Sequence, residues 1–130
     1  MDRLVFLTAG DVLFIHRRMI EDFGGDPGLR DRGLLESAVA MPRAMFAGEY
    51  LHPDVPSMAA AYHYHLCANH PFLDGNKRVA VAAAEVFLRA NRGELSASDD
   101  EVVDLTLGIA CGSVRKEQVT EFYAERVCAT

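Results

Sequence analysis

Apolar positions along the chain recur at helical spacing and are broken at intervals by Gly and Pro. Val12, Ile15, Met19 and Phe23 outline a first helix. Thr8 can cap it and Asp11 favours its first turn. Residues 3–7 form a short apolar entry that could be extended. Gly24-Gly25-Asp26-Pro27-Gly28 ends the helix in a loop. Asp31 can cap a second helix, buried along Leu34, Leu35, Ala38 and Val39 and stopped or kinked by Pro42. Gly48, Pro53 and Pro56 predict no long element over residues 43–56. Residues 57–69 predict a third helix, with Tyr62 and Leu66 in the core. Residues 75–92 predict a fourth. Its Ala80, Ala82, Ala83 and Ala84 permit close contact and place it in the middle of the bundle, and Gly93 reads as its C-cap. Ser98 and Glu101 form a capping box for a fifth helix, carrying Val102, Leu105 and Ile109 and ending near Gly112. Ser113 can cap the last, with Val119, Phe122, Tyr123 and Val127 as its apolar positions. Short loops between amphipathic helices predict an all-α fold, a compact bundle of about six helices around a central buried helix.

At 130 residues the chain predicts one domain, residues 1–130, large enough to bury a core unaided. A net charge of −6 argues against a general nucleic-acid binder, which would carry a basic face, but leaves room for a local basic pocket. No apolar run approaches a membrane span. Met1 to Thr8 lacks the long apolar stretch of a signal peptide. Cys67, Cys111 and Cys128 form no Cys-x-x-Cys pair and read as free thiols in a reducing cytoplasm. His63 and His65, two apart, project to different faces of a helix, whereas a shared metal would prefer a spacing of four.

Candidate chemistry concentrates in His70-Pro71-Phe72-Leu73-Asp74-Gly75-Asn76-Lys77-Arg78. Pro71 discourages helix at His70, so one helix ends near Asn69 and another begins near Gly75. Lys77 and Arg78 then fall in a first turn, where the helix dipole makes a cation unfavourable by about 0.3–1 kcal/mol. An anion docked there removes the conflict. Backbone N–H groups of Gly75, Asn76 and Lys77 would face it, and Gly75 lets it approach closely. Phosphate fits best. Asp74 offers a hard oxygen ligand for Mg²⁺ carried in with a nucleotide. His70 is the group able to take a proton near neutral pH, and Phe72 points inward to pin the loop. Each residue has a plainer alternative: Asp74 as an N-cap, His70 as a hydrogen-bonded structural histidine, Lys77 and Arg78 as solvated charges. Their conjunction in one loop favours a site. No Gly-x-x-x-x-Gly-Lys-Ser/Thr stretch is present, so this is not a P-loop.

His-Pro-Phe-x-Asp-Gly-Asn-x-Arg resembles the core motif of the Fic/Doc family, and Lys77 resembles its death-on-curing branch. Residues 23–28, Asp31 to Ala38 and Asp104-Leu105-Thr106-Leu107-Gly108 are similar to that branch too. The resemblance implies a toxin of a toxin–antitoxin pair that transfers phosphate from ATP, with Mg²⁺, to a hydroxyl of elongation factor Tu, stopping translation. His70 would orient or deprotonate the hydroxyl, and Asp74 would hold Mg²⁺. Gly75, Asn76, Lys77 and Arg78 would hold the phosphates, with Lys77 also stabilising the charge in transfer. Relatives that transfer AMP usually carry Gly at position 77 and a second Arg at position 81. Lys77 and Val81 therefore count against AMP transfer, the second reading. A third is a weakly catalytic module acting with its antitoxin as a repressor complex. The resemblance also implies a Phd-like antitoxin, its C-terminal segment helical in a groove walled by the first two helices and Phe46 to Tyr50. It implies a flap across residues 46–51, which read equally as an ordinary surface loop. Self-inhibition is not expected, since the nearest match to Ser/Thr-x-x-x-Glu-Gly/Asn ends Glu117-Gln118.

Overall fold

Most helices of this chain begin where a side chain satisfies a free N–H group, and the helix after the motif loop is an exception. The computed structural model describes residues 3–130, so the first two residues of the expected domain lie outside it. Thr8 and Asp11 cap α1 (Ala9–Phe23) reciprocally, and Asp31 caps α2 (Arg32–Ala40) by accepting from Leu34 N. Asp54 and Ser57 do the same for α3 (Val55–Asn69), and Ser98 and Glu101 for α5 (Asp99–Ala110). A cap of this kind contributes about 1 kcal/mol. Pro42 closes α2 through a 3₁₀ turn over Met41–Arg43. The helix α4 (Asn76–Ala90) follows the motif loop, and α6 (Lys116–Arg126) is the last. No helix among the described residues is long and apolar enough to cross a membrane.

Several boundaries differ from those the sequence predicts. Pro56 does not delay α3. It occupies the first turn, where its missing N–H goes unneeded, so the helix starts at Val55. Gly93 is not the C-cap of α4, because Asn91 takes that place. The Asn91 side chain bonds Phe87 O and both backbone groups of Val5, and Arg92 adopts the left-handed turn. Gly93 instead opens β3 (Gly93–Leu95), antiparallel to β4 (Val127–Ala129), with Glu94 opposite Cys128. Ser113 bonds Gly108 O rather than capping α6, which Arg115 precedes. Residues 43–56 contain a hairpin, β1 (Met45–Phe46) with β2 (Glu49–Tyr50), turned by Ala47 and Gly48 at positive φ.

The core lies where α3 meets α2, α4, α5 and α6. Nine of the fifteen α3 residues are buried, against seven for α4, so α3 is the more enclosed helix. Ala80, Ala83 and Ala84 of α4 are fully buried and let the pair approach closely; Ala82 lies partly buried beside them. Tyr62 and Leu66 of α3 are buried in the core, as is Phe72 of the motif loop. Phe23, expected on the apolar face of α1, is exposed.

One buried polar chain ties three helices together. Thr106 Oγ1 donates to Val102 O at 2.7 Å, so it accepts from His63 Nε2–H at 2.8 Å. The other imidazole nitrogen, Nδ1, then accepts from the Tyr123 hydroxyl at 2.6 Å. Both His63 nitrogens are thus engaged by side chains. Burial lowers the His63 pKa to about 4 and pushes the Tyr123 hydroxyl up.

Candidate active site

The loop between α3 and α4 is held from three directions. His70 is the C-cap of α3, with φ 52° and ψ 55°. Pro71 disfavours a right-handed turn there, and the left-handed one carries the imidazole to an exposed position. Arg30 donates from Nε to His70 O at 2.7 Å and from Nη2 to Asn69 O at 3.0 Å, satisfying carbonyls left free at the helix end. Backbone N–H groups of Arg30 and Asp31 both donate to Pro71 O, and Leu73 N donates to Gly28 O. The residues following α1 thus zip along the motif loop in a short antiparallel bridge.

Asn76 closes the loop from below. Its side chain accepts from Phe72 N and donates to Phe72 O, both at 2.9 Å, and the residue is buried. The amide is committed to the loop, and the backbone N–H is what Asn76 can offer a phosphate. Asn76→Ala is expected to leave a buried N–H and a buried carbonyl without partners. At about 1–3 kcal/mol for each, the melting temperature should drop by roughly 10 °C. A melting temperature equal to that of the unmutated protein would show that Asn76 does not hold the loop.

Asp74 is exposed, and its Oδ2 accepts from Asp26 N at 2.8 Å. It does not cap α4. Gly75 is the N-cap, in the left-handed region at φ 81°, and no side chain bonds the first turn. Helix geometry leaves the N–H groups of Gly75 to Arg78 without intrahelical acceptors. Lys77 and Arg78 are exposed beside them, and the Arg78 guanidinium lies 4.7 Å from the centre of the Phe23 ring. Phe23 is thus a support for Arg78 rather than a core residue.

A cleft of about 710 Å³ opens from this helix start. Gly75, Asn76, Lys77 and Arg78 line one end, and it continues past Val81, Ala82 and Glu85 against α5. His70 and Asp74 are not among its lining residues, and neither is the hairpin. This cleft runs between the end of α1, α4 and α5, and a separate set of exposed apolar side chains, Phe14 of α1 with Met45, Phe46 and Tyr50 of the hairpin, lies outside it. Partial burial raises the Glu85 pKa, an effect Arg89 opposes.

The arrangement suits a nucleotide with its divalent cation. Mg²⁺ is ordinarily held by one or two carboxylates together with substrate phosphates. Asp74, with one oxygen fixed by Asp26 and the other without a protein partner, meets that need. Among the described residues no three His, Cys, Asp or Glu side chains group to hold a metal by themselves. Two positioning residues escaped the sequence reading. Arg30 lies between the Gly24–Gly28 loop and the Asp31 cap, where no local pattern marks it. His16 lies on the apolar face of α1, four residues after Val12, and is buried where it bonds Asp74 O; that spacing was the signal that could have found it.

Residues 6–88 match the model of the Fic/DOC family. The chain is 42% identical over 100 residues, 77% of its length and 70% of the relative's, to "Toxin Doc" of Mycolicibacterium smegmatis. It is 32% identical over 115 residues, 88% of its length and 90% of the relative's, to "Protein kinase doc" of Escherichia phage P1.

Proposed function

We propose that this chain, which belongs to the Fic/DOC family, is the toxin of a toxin–antitoxin pair and transfers phosphate from ATP to a hydroxyl of a protein target. Elongation factor Tu is the target the resemblance implies. One relative is named a toxin and another a protein kinase. His70 accepts the proton of the attacking hydroxyl as its oxygen bonds to the terminal phosphorus, and the bond from that phosphorus to ADP breaks. The N–H groups at the start of α4, with Lys77 and Arg78, hold the phosphates and meet the charge that spreads over the transferred group. Asp74 holds Mg²⁺, which when bound neutralises phosphate charge.

The observation that carries phosphate rather than AMP transfer is Lys77 with Val81 in one wall of the cleft. A Lys side chain fills space that Gly would leave open for an inner phosphate. With Val81 in place of a second Arg, nothing at that position grips outer phosphates. The donor therefore binds with its terminal phosphate toward His70 and the rest along the cleft. Intact masses after incubation with ATP, Mg²⁺ and elongation factor Tu test this. A phosphate increment is expected, absent in Lys77→Ala. An AMP increment would overturn the reading in favour of AMP transfer. No increment on any protein of a lysate would favour a repressor module.

For the antitoxin, this cleft is a second apolar surface beside the walls of α1, α2 and Phe46 to Tyr50 that the resemblance implies. Phe23, Val103 and Leu107 line it and are at least half exposed, an apolar seat for one face of a helical segment.

A further inference from the structure

We propose that His16 is a positioning residue that locks the Asp74–Gly75 peptide with its N–H directed at the bound phosphate. The proposal rests on the phosphate-binding role of the helix start given above and adds a regulator of its geometry.

The His16 imidazole lies face to face with Phe72, ring centres 3.7 Å apart and planes 8° from parallel. The residue is 3% exposed. Its Nε2 is 2.8 Å from Asp74 O, a carbonyl that can only accept, so Nε2 carries the proton and donates. In a trans peptide the C=O and the following N–H point in opposite directions. Holding Asp74 O toward the His16 ring therefore turns Gly75 N–H away from that ring, and Gly75 is one of the residues that line the cleft.

The lock is needed because this peptide is the one in the loop that can flip. Gly75, at φ 81°, tolerates conformations closed to other residues. A flipped peptide would present the Asp74 carbonyl to a phosphate and repel it. Neighbouring contacts hold the flanks without fixing the peptide itself. Asp26 N grips the Asp74 carboxylate, and Gly25 lies against Asp74 so closely that a side chain there would sit 3.2 Å from Asp74 Cβ. His16 alone touches the carbonyl by a hydrogen bond, and its ring also packs against Gly75, 3.6 Å from where a side chain would begin.

Two substitutions separate the donor from the ring. His16→Gln keeps an N–H donor and loses the stack, and His16→Phe keeps the stack and loses the donor. The amide resonance of Gly75 in ¹⁵N-labelled full-length protein, titrated with ATP and Mg²⁺, is the direct readout. It should shift in the unmutated protein and in His16→Gln, and not in His16→Phe. Phosphate transfer by His16→Phe should fall in kcat by about 10²-fold or more, as when one oxyanion donor is removed, with KM for the protein target unchanged. If His16→Phe fails to give a dispersed spectrum, His16→Met replaces it as the variant without a donor. A Gly75 shift in the donor-free variant equal to that of the unmutated protein would overturn the proposal. So would the absence of any Gly75 shift in the unmutated protein. A normal pattern of shifts without a phosphate adduct would leave His16 in its role and reject the kinase reading instead.

Discussion

His70→Ala should abolish modification of the target while leaving the protein folded. A positioned general base contributes about 10²–10⁴-fold to rate. His70 is the group of the motif suited to that role, exposed at the turn where α3 ends. The loop does not depend on its side chain. Arg30 holds its carbonyl, Phe72 anchors the next residues in the core, and Asn76 ties Phe72 from both sides. Changes at exposed positions usually stay within about 0.5 kcal/mol, so the melting temperature should move by a degree or two at most. Growth arrest in the host should disappear with the adduct. A fully toxic variant, or one modifying its target at the original rate, would remove His70 from the mechanism.

The second large effect is on stability and follows from His63. Its folded pKa is about 4, lowered by burial from an ordinary 6.5. Below pH 6.5 the unfolded chain takes up a proton that the folded protein refuses until about pH 4. Stability from the neutral imidazole is thus complete above pH 6.5 and is lost as pH falls to 4, by about 3 kcal/mol in all. His65, also lowered to about 4 by burial and by the charges of Lys116 and His52, acts in the same direction. The mechanical reason is local. A second proton on His63 would sit on Nδ1 and turn the Tyr123 hydroxyl from donor to acceptor, leaving a charged imidazolium in the core without a carboxylate beside it, and that burial is what lowers the pKa. Urea unfolding between pH 7.5 and 4.5 measures the loss. In His63→Gln an amide can donate toward Thr106 and accept from Tyr123 without titrating, so the dependence on pH should become clearly shallower, with His65 supplying what remains. An equally steep dependence in that variant would assign the acid sensitivity elsewhere.

The motif loop was legible in the sequence because its chemistry is local. Pro71 and Gly75 dictate the break between two helices within six residues, and the cations and carboxylate follow directly. The caps at Thr8, Asp31 and Ser98 were legible for the same reason, since each acts across three residues. What depends on distant partners was not. His16 reaches Asp74 across 58 positions and Arg30 reaches His70 across 40. In the sequence alone the first is a histidine in an amphipathic helix and the second a surface charge. The hairpin escaped notice because its strands are two residues long with every side chain exposed, so no alternation marks them. The strand after α4 escaped because its partner lies more than thirty residues on, and Gly93 in isolation resembles a helix stop.

The left-handed backbone at His70 sets fold and chemistry against each other. A glycine would adopt φ 52° with less strain and an asparagine with little more, yet neither can move a proton near neutral pH. On the proposed role, histidine is kept at that turn for its proton transfer and not for its backbone. In lineages where toxicity brings no advantage, drift toward glycine at this codon would relieve the backbone and silence the protein in one step. Decay of such genes should therefore leave well-folded, inert proteins rather than unstable ones, still able to occupy an antitoxin.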